Sequence, residues 1–143
     1  MNMLAAVAGR IREGRNIKRL LRTIDNEPEH EVLRIAANAV SMDEKLLLLA
    51  AVGKQSIGLD ERQMRIAFGE ILKISREEKS PVADYVAAYA RYNLAVLASS
   101  WGDAGSTYER AKRMKVNSRI RLKFPIPQLP RGTAISPNVV SVR

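Results

Sequence analysis

Apolar residues recur at three- and four-residue spacing along most of the first 116 residues, which is the period of one face of an α-helix. Residues typical of helix N-termini divide this pattern into segments. Ser41 is followed by Glu44 in a capping-box arrangement, and Ser80 is followed by Pro81, which suits the first turn of a helix. The sequence therefore predicts an all-α fold, a small bundle of about five or six helices.

The predicted helices follow one another with short connections. We predict them over residues 3–24, from residue 27 or 28, over about residues 42–55, from residue 59 or 60, from residue 81 to near residue 102, and from residue 106 to about residue 116. The run Gly102-Asp103-Ala104-Gly105 is expected to break the last two apart. In the fourth helix we expect Met64, Ala67, Phe68, Ile71 and Leu72 to face inward.

The pattern changes at residue 117, where a basic, Pro-rich segment begins. Four of the six prolines lie at positions 125, 127, 130 and 137, and residues before proline favour extended backbone. Residues 119–124 alternate strictly, which predicts a strand with Ile120, Leu122 and Phe124 on one side and three cations on the other. Residues 138–142 are a weaker candidate strand. The predicted organisation is a helical domain over residues 1–116 and an extended arm over residues 117–143.

An isolated strand is unstable, so the predicted arm needs an edge to pair with. Strand addition to another molecule would supply one. We therefore interpret Ile120, Leu122 and Phe124 as the residues that dock the arm on a partner.

The positive charge of the chain lies at its two ends. The net charge is +9, yet residues 1–24 hold six Lys/Arg against one acid, residues 25–103 nine against thirteen, and residues 104–143 nine against one. The cations interpreted as binding residues are Arg12, Arg15, Arg19 and Arg22, which form one stripe of the first helix, and Arg110, Lys112, Arg113, Lys115, Arg119, Arg121 and Lys123. Such segregation indicates acidic partners for the termini.

Three kinds of partner fit these cations equally well at the level of sequence. Phosphate backbones of nucleic acid would bind them with little discrimination between sequences. An acidic protein surface would also suffice, and so would an anionic membrane against residues 1–24. Residues 1–24 also resemble an organelle presequence, being amphipathic and rich in arginine, although they contain no serine.

The sequence offers no pattern typical of catalysis, of a cofactor or of a metal site. There is no cysteine, and the single histidine, His30, has no further ligands at matching spacing. Gly53 and Gly58 have the spacing of a phosphate-binding loop, but Leu59 stands where lysine is required. The longest apolar run, residues 46–52, is far short of the roughly 20 residues that a membrane-spanning helix needs. We expect a non-enzymatic protein without a cofactor.

Two further segments admit a functional interpretation beside a structural one. Tyr85, Tyr89 and Tyr92 stand at helical spacing and suit either a base-stacking face or, as we expect, the edge of the core. The segment from residue 46 to residue 72 resembles the TerB-like helical domains, in which an acidic turn joins two helices. It lacks the Asp-Gly which that turn would call for near Ser56, so no functional residues carry over. A helix-turn-helix is disfavoured by acids on its second helix.

The leading hypothesis is a structural or assembly component of a large complex, such as a virion connector or internal protein or a ribonucleoprotein subunit. It would dock on other protein subunits through its C-terminal arm. The alternative is a sequence-nonspecific nucleic-acid-binding protein that uses the first helix and the cations of residues 110–123. The lack of cysteine fits a reducing intracellular compartment or a virion, and we expect no export by a signal peptide.

Overall fold

The computed structural model describes residues 41–129, and 72% of these residues are helical, with no strand among them. The five helices are α1 (Met42–Ser56), α2 (Glu61–Ser75), α3 (Pro81–Leu97), α4 (Trp101–Ala111) and α5 (Ser118–Lys123). The predicted all-α bundle is confirmed over this range. The helices predicted before residue 41, the arginines of residues 12–22, His30 and the candidate strand at residues 138–142 lie outside the described residues.

Polar side chains begin the first three helices by capping their free amides. Ser41 accepts a hydrogen bond from the amide three residues on at 3.2 Å, and Asp60 and Ser80 do the same at 3.0 Å. The helix starts predicted at Ser41 and Ser80 are therefore confirmed. Ser80 Oγ also donates to Asp43 Oδ1 at 2.8 Å, which ties the start of α3 to the first turn of α1.

Helix α1 packs against both α2 and α3, and α3 also packs against α2 and α4. The seven-residue apolar run of α1, residues 46–52, is buried along its whole length. A helical segment that is apolar on every side has to be covered on every side, which agrees with the burial of all seven residues of this run. The inward positions predicted for α2 are confirmed, since Met64, Ala67, Phe68 and Ile71 are buried and Leu72 packs against the same core.

The α1–α2 turn and the contact between these helices each depend on a glycine. Gly58 has a φ of 77° and turns the chain after Ile57, a conformation that side chains with a Cβ disfavour. Gly53 lies inside α1, where a Cβ atom would come within 2.6 Å of Phe68 Cζ. The ring of Phe68 therefore packs directly on the backbone of α1.

The boundary between α3 and α4 differs from the prediction. Helix α3 ends at Leu97, and Ser99 adopts a positive φ of 56°. The amides of Ser99 and Ser100 bond to the carbonyls of Val96 (3.0 Å) and Ala95 (2.8 Å), which is the Schellman arrangement of a helix end.

The predicted break at residues 102–105 is wrong because α4 runs straight through both glycines. A glycine inside a helix costs about 1 kcal/mol. Burial of Ala104, Thr107 and Ala111 on one face of α4 offsets that cost.

The predicted strand at residues 119–124 is also wrong, because residues 118–123 form α5. Ile120 and Phe124 are fully buried in the core, whereas Leu122 is 81% exposed. Residues four apart share a side in a strand and in a helix alike, so Ile120 and Phe124 fit both patterns and only Leu122 distinguishes them. The described bundle offers no strand to pair with, and a helix satisfies its own backbone.

Phe124 ends a row of three aromatic rings through the core. The centroids of Phe68 and Tyr89 lie 5.7 Å apart in an edge-on arrangement, and those of Tyr89 and Phe124 lie 5.3 Å apart. The sequence placed a domain boundary between residues 116 and 117. Side chains from both sides of that position pack in one core.

Substitution of Gly53 by alanine should destabilise the protein, because the new methyl group would overlap the ring of Phe68. We expect a loss of about 1 to 3 kcal/mol in the free energy of unfolding, measured by urea denaturation. Gly69→Ala is the matched control, since a Cβ there meets no atom within 4 Å. It should be neutral or stabilise by up to about 1 kcal/mol. Equal effects of the two substitutions would contradict the close contact.

Phe124→Ala and Leu122→Ala separate the helix from the strand at residues 118–124. We expect Phe124→Ala to lower the free energy of unfolding by about 3 to 5 kcal/mol, because it opens a cavity in the core. Leu122→Ala should change it by no more than about 0.5 kcal/mol, because that side chain is exposed. A strand with all three apolar side chains on one face would instead make both substitutions costly.

Candidate functional site

The basic segment, residues 110–123, holds seven Lys/Arg and no acid. It runs from the last turn of α4 through a connection to the end of α5. The rest of the described helical body, residues 41–109, holds ten acids and eight cations. Within the described residues, positive charge that is not mixed with acids is therefore concentrated in this segment.

Arg121 holds the α4–α5 connection together. Its guanidinium Nη2 donates to the carbonyls of Ala111 at 2.9 Å and Met114, and the guanidinium carbon lies 5.1 Å from the centre of the Tyr85 ring. The Ala111 carbonyl also accepts from the Met114 amide at 3.1 Å, so Arg121 adds a second bond there and joins the end of α4 to the connection that follows it. Arg121, predicted as a binding residue, therefore has a structural role.

Two tyrosines of α3 fix the chain that follows α5. The Tyr85 hydroxyl donates to the carbonyl of Phe124 at 2.7 Å, and the Tyr92 hydroxyl donates to the carbonyl of Pro127 at 2.8 Å. The Pro-rich backbone there has no helix or sheet of its own, and these bonds supply partners for two of its carbonyls. Residues 124–127 are thereby held against the body of the same chain.

The tyrosines belong to the core, as we expected, and do not form a stacking face. Tyr85, Tyr89 and Tyr92 are 1%, 3% and 5% exposed. Burial raises the pKa of all three phenols, most strongly that of Tyr89. Their hydroxyl groups therefore stay protonated at neutral pH and remain hydrogen-bond donors.

Lys123 lies partly inside the structure. Its carbonyl accepts a hydrogen bond of 2.6 Å from Lys54 Nζ, and that ammonium group lies 5.9 Å from the centre of the Phe124 ring. Burial lowers the pKa of the Lys123 ammonium group. Lys123 is therefore less available to a partner than its neighbours in the sequence.

Four cations of the basic segment remain open to solvent: Arg110, Arg113, Lys115 and Arg119. None of the four makes an ion pair with a residue of the described range 41–129. Lys112 is also exposed, but its Nζ lies 2.9 Å from Glu109 Oε2 and 5.6 Å from the centre of the Tyr108 ring. These four cations are the candidate binding site, and they lie on a backbone that is anchored at both ends.

The predicted cations of residues 110–123 lie on one short stretch of the sequence, and the structure divides their roles. Arg121 and Lys123 are engaged with the body, and the docking residues Ile120 and Phe124 are buried in their own core. The anchoring roles of Lys54, Tyr85 and Tyr92 were not predicted, although the two tyrosines were predicted to lie at the edge of the core. The three side chains contact residues 69, 39 and 35 positions away, and no local spacing signals such a contact.

The described helices show neither a metal site nor a membrane span. Between residues 41 and 129, no group of three or more His, Asp or Glu side chains is placed to hold a metal ion. No helix in that range is long and apolar enough to cross a bilayer. What these residues offer a ligand is positive charge and exposed apolar surface.

No protein-family model, no curated protein and no solved structure matches the chain. The resemblance of residues 46–72 to the TerB-like domains therefore gains no support from a family model.

Proposed function

We propose that the protein is non-enzymatic and binds the phosphate backbone of nucleic acid, without reading base sequence, through Arg110, Arg113, Lys115 and Arg119. One observation carries the proposal. The four side chains are exposed, and within the described residues no carboxylate neutralises them. Exposed cations on a protein surface usually alternate with acids, and here seven cations follow one another with no acid between them.

Phosphate is the partner that such a surface binds most readily. Each phosphate neutralised by Lys or Arg releases condensed counterions, which drives binding without any base contact. The anchored backbone adds to this, because the Arg121 and Tyr85 contacts already order the segment before a partner arrives. Ordering on binding would otherwise oppose the association.

The geometry favours backbone contact over base reading. A recognition helix lies in the major groove and presents several side chains to base edges. Helix α5 has six residues, and its inward face is taken up by Ile120 and Phe124. Helix α2, the second helix of the disfavoured helix-turn-helix, begins with exposed Glu61, which would face phosphate repulsively.

The hypothesis that the protein is an assembly component is our second proposal, and it now rests on fewer residues of the C-terminal segment. Ile120 and Phe124 occupy their own core, so they are not free to dock on another subunit. The role would therefore fall to residues 130–143, and a deletion that tests it has to begin after residue 129. Normal incorporation of that truncated chain into its assembly would contradict this second proposal.

Removing cations from the basic segment should weaken binding to nucleic acid and reduce its dependence on salt. We expect Arg110→Gln/Arg113→Gln/Lys115→Gln to reduce the slope of log affinity against log salt on duplex DNA by about 2 to 3, measured by fluorescence anisotropy. Two unrelated DNA sequences should give the same result, because phosphate contacts carry no sequence information.

The matched control removes equal charge from exposed positions elsewhere, as Arg62→Gln/Arg76→Gln/Arg91→Gln. This variant should keep most of the wild-type slope. Equal losses in the two triple variants would mean that net charge alone attracts the nucleic acid, and would contradict a site in the basic segment.

A further inference from the structure

An apolar groove of about 550 Å³ lies along the outer side of the α1–α2 pair. Ile66, which is 62% exposed, forms its accessible apolar wall, and Leu49, Val52 and Ala67, which are 9%, 0% and 3% exposed, form its buried floor. Exposed apolar side chains scattered singly are ordinary, so the groove beside Ile66, and not the exposure of Ile66 alone, makes this surface a candidate contact. The groove is large enough to receive an aliphatic side chain.

The edge of this groove is mainly acidic. Asp60 and Glu70 line it, together with Arg62. Asp60 Oδ1 accepts a hydrogen bond from the Gln63 amide at the start of α2, and its carboxylate still contributes negative charge at the edge of the groove. An occupant with an apolar tip and adjacent positive charge would match both the floor and the edge.

The same chain carries an element of that description. Leu122 on α5 is 81% exposed, the second most exposed large apolar side chain among the described residues after Leu59 at 87%. Arg119, three residues earlier, lies on the same face of the helix and is also exposed. Leu122 is thus an apolar projection within the basic segment.

The groove and Leu122 lie on different sides of the bundle. Lys54 of α1 points to α5, since its ammonium group donates to the carbonyl of Lys123. Leu49 lines the groove from a position five residues earlier, which is about 140° away around the helix. A molecule therefore cannot place its own Leu122 in its own groove, but two copies can be joined in this way.

We propose that the protein self-associates head to tail, with Leu122 of one copy in the α1–α2 groove of the next and Arg119 facing Asp60 and Glu70. A second copy is the occupant that the observations favour, because this one chain supplies both the apolar projection with its cation and the groove with its acids. Such a contact uses different surfaces on the two copies, so it leaves one of each free and propagates. The inference does not rest on nucleic-acid binding, although Arg119 is used in both proposals.

The contact is small, so the association is weak and depends on concentration. Stable interfaces bury about 1,600 Å² in total, more than one side chain and its neighbours provide. The test is sedimentation velocity of the full, nuclease-treated chain over a range of concentrations. We expect species larger than a monomer that grow with concentration and shrink with added salt.

Single substitutions on either side should remove this growth. We expect Leu122→Asp and Ile66→Asp each to weaken association by about tenfold or more, since each places a charge in an apolar contact. Both side chains are exposed in the monomer, so the fold should tolerate the changes. Leu59→Asp is the matched control, because Leu59 is equally exposed but does not line the groove.

A mixture of the two variants gives the sharpest outcome. Leu122→Asp keeps an intact groove and Ile66→Asp keeps an intact Leu122, so an equimolar mixture should form dimers and stop there. Each variant alone should stay monomeric. The charge pair is tested by Glu70→Arg, which should weaken association, and by Arg119→Glu in the same chain, which should restore it.

Three results would overturn the proposal. The first is a wild-type chain that is monomeric at every concentration. The second is association that survives both variants, which would place the contact elsewhere. The third is a loss of thermal stability in Ile66→Asp that Leu59→Asp does not show, which would indicate that another part of the same chain fills the groove. Loss of DNA binding in the Arg110, Arg113 and Lys115 variant leaves all of these outcomes unchanged.

Discussion

The burial of Ile120 and Phe124 in the core of the helical bundle is the constraint on which the rest of this structure depends. These two side chains hold a basic, Pro-rich stretch of chain against the helical bundle. The composition of that stretch alone would not predict that it packs there. The Tyr85 hydroxyl donates a hydrogen bond to the carbonyl of Phe124. The Arg121 guanidinium donates to the carbonyls of Ala111 and Met114. Apolar burial supplies most of the free energy, and the polar contacts fix the geometry.

This docking decides how the cations are presented. A flexible basic tail can bind phosphate, but ordering it on binding costs free energy for each residue fixed. Here Arg110, Arg113, Lys115 and Arg119 project from a backbone whose position is already set on both sides. The same docking leaves Leu122 outward, because a helix that buries residues 120 and 124 has to turn residue 122 to solvent. The proposed contact with a second copy follows from that exposure.

The parts of the fold that the sequence predicted are those with local causes. Serine caps and the three- and four-residue spacing of apolar side chains act within one or two turns, so the starts of α1 and α3 and the inward face of α2 were predictable. The glycines at residues 102 and 105 misled, because burial of Ala104 and Ala111 outweighs a modest preference against helix. The alternation at residues 119–124 led to a wrong prediction of a strand. The two buried positions, 120 and 124, fit the period of a helix as well as that of a strand.

The candidate site was predictable in its composition but not in its division of roles. Seven cations without an acid are visible in the sequence, whereas the engagement of Arg121 depends on Tyr85, a residue 36 positions earlier. The groove was not predictable either, because Leu49 and Ile66 meet only when α1 and α2 pack. Contacts between residues that are distant in the sequence depend on how whole helices pack, so the spacing of residues along the chain does not predict them.

Hydrogen exchange of individual amides, followed by NMR, tests the central claim that α5 belongs to the core. The amides of Ile120 and Phe124 bond to the carbonyls of Asn117 at 3.0 Å and Ile120 at 2.9 Å. We expect the Phe124 amide to exchange as slowly as those at the centre of α1, through unfolding of the whole bundle. Exchange of that amide at the rate of an unstructured chain would show that the basic segment is a free arm and would contradict this account.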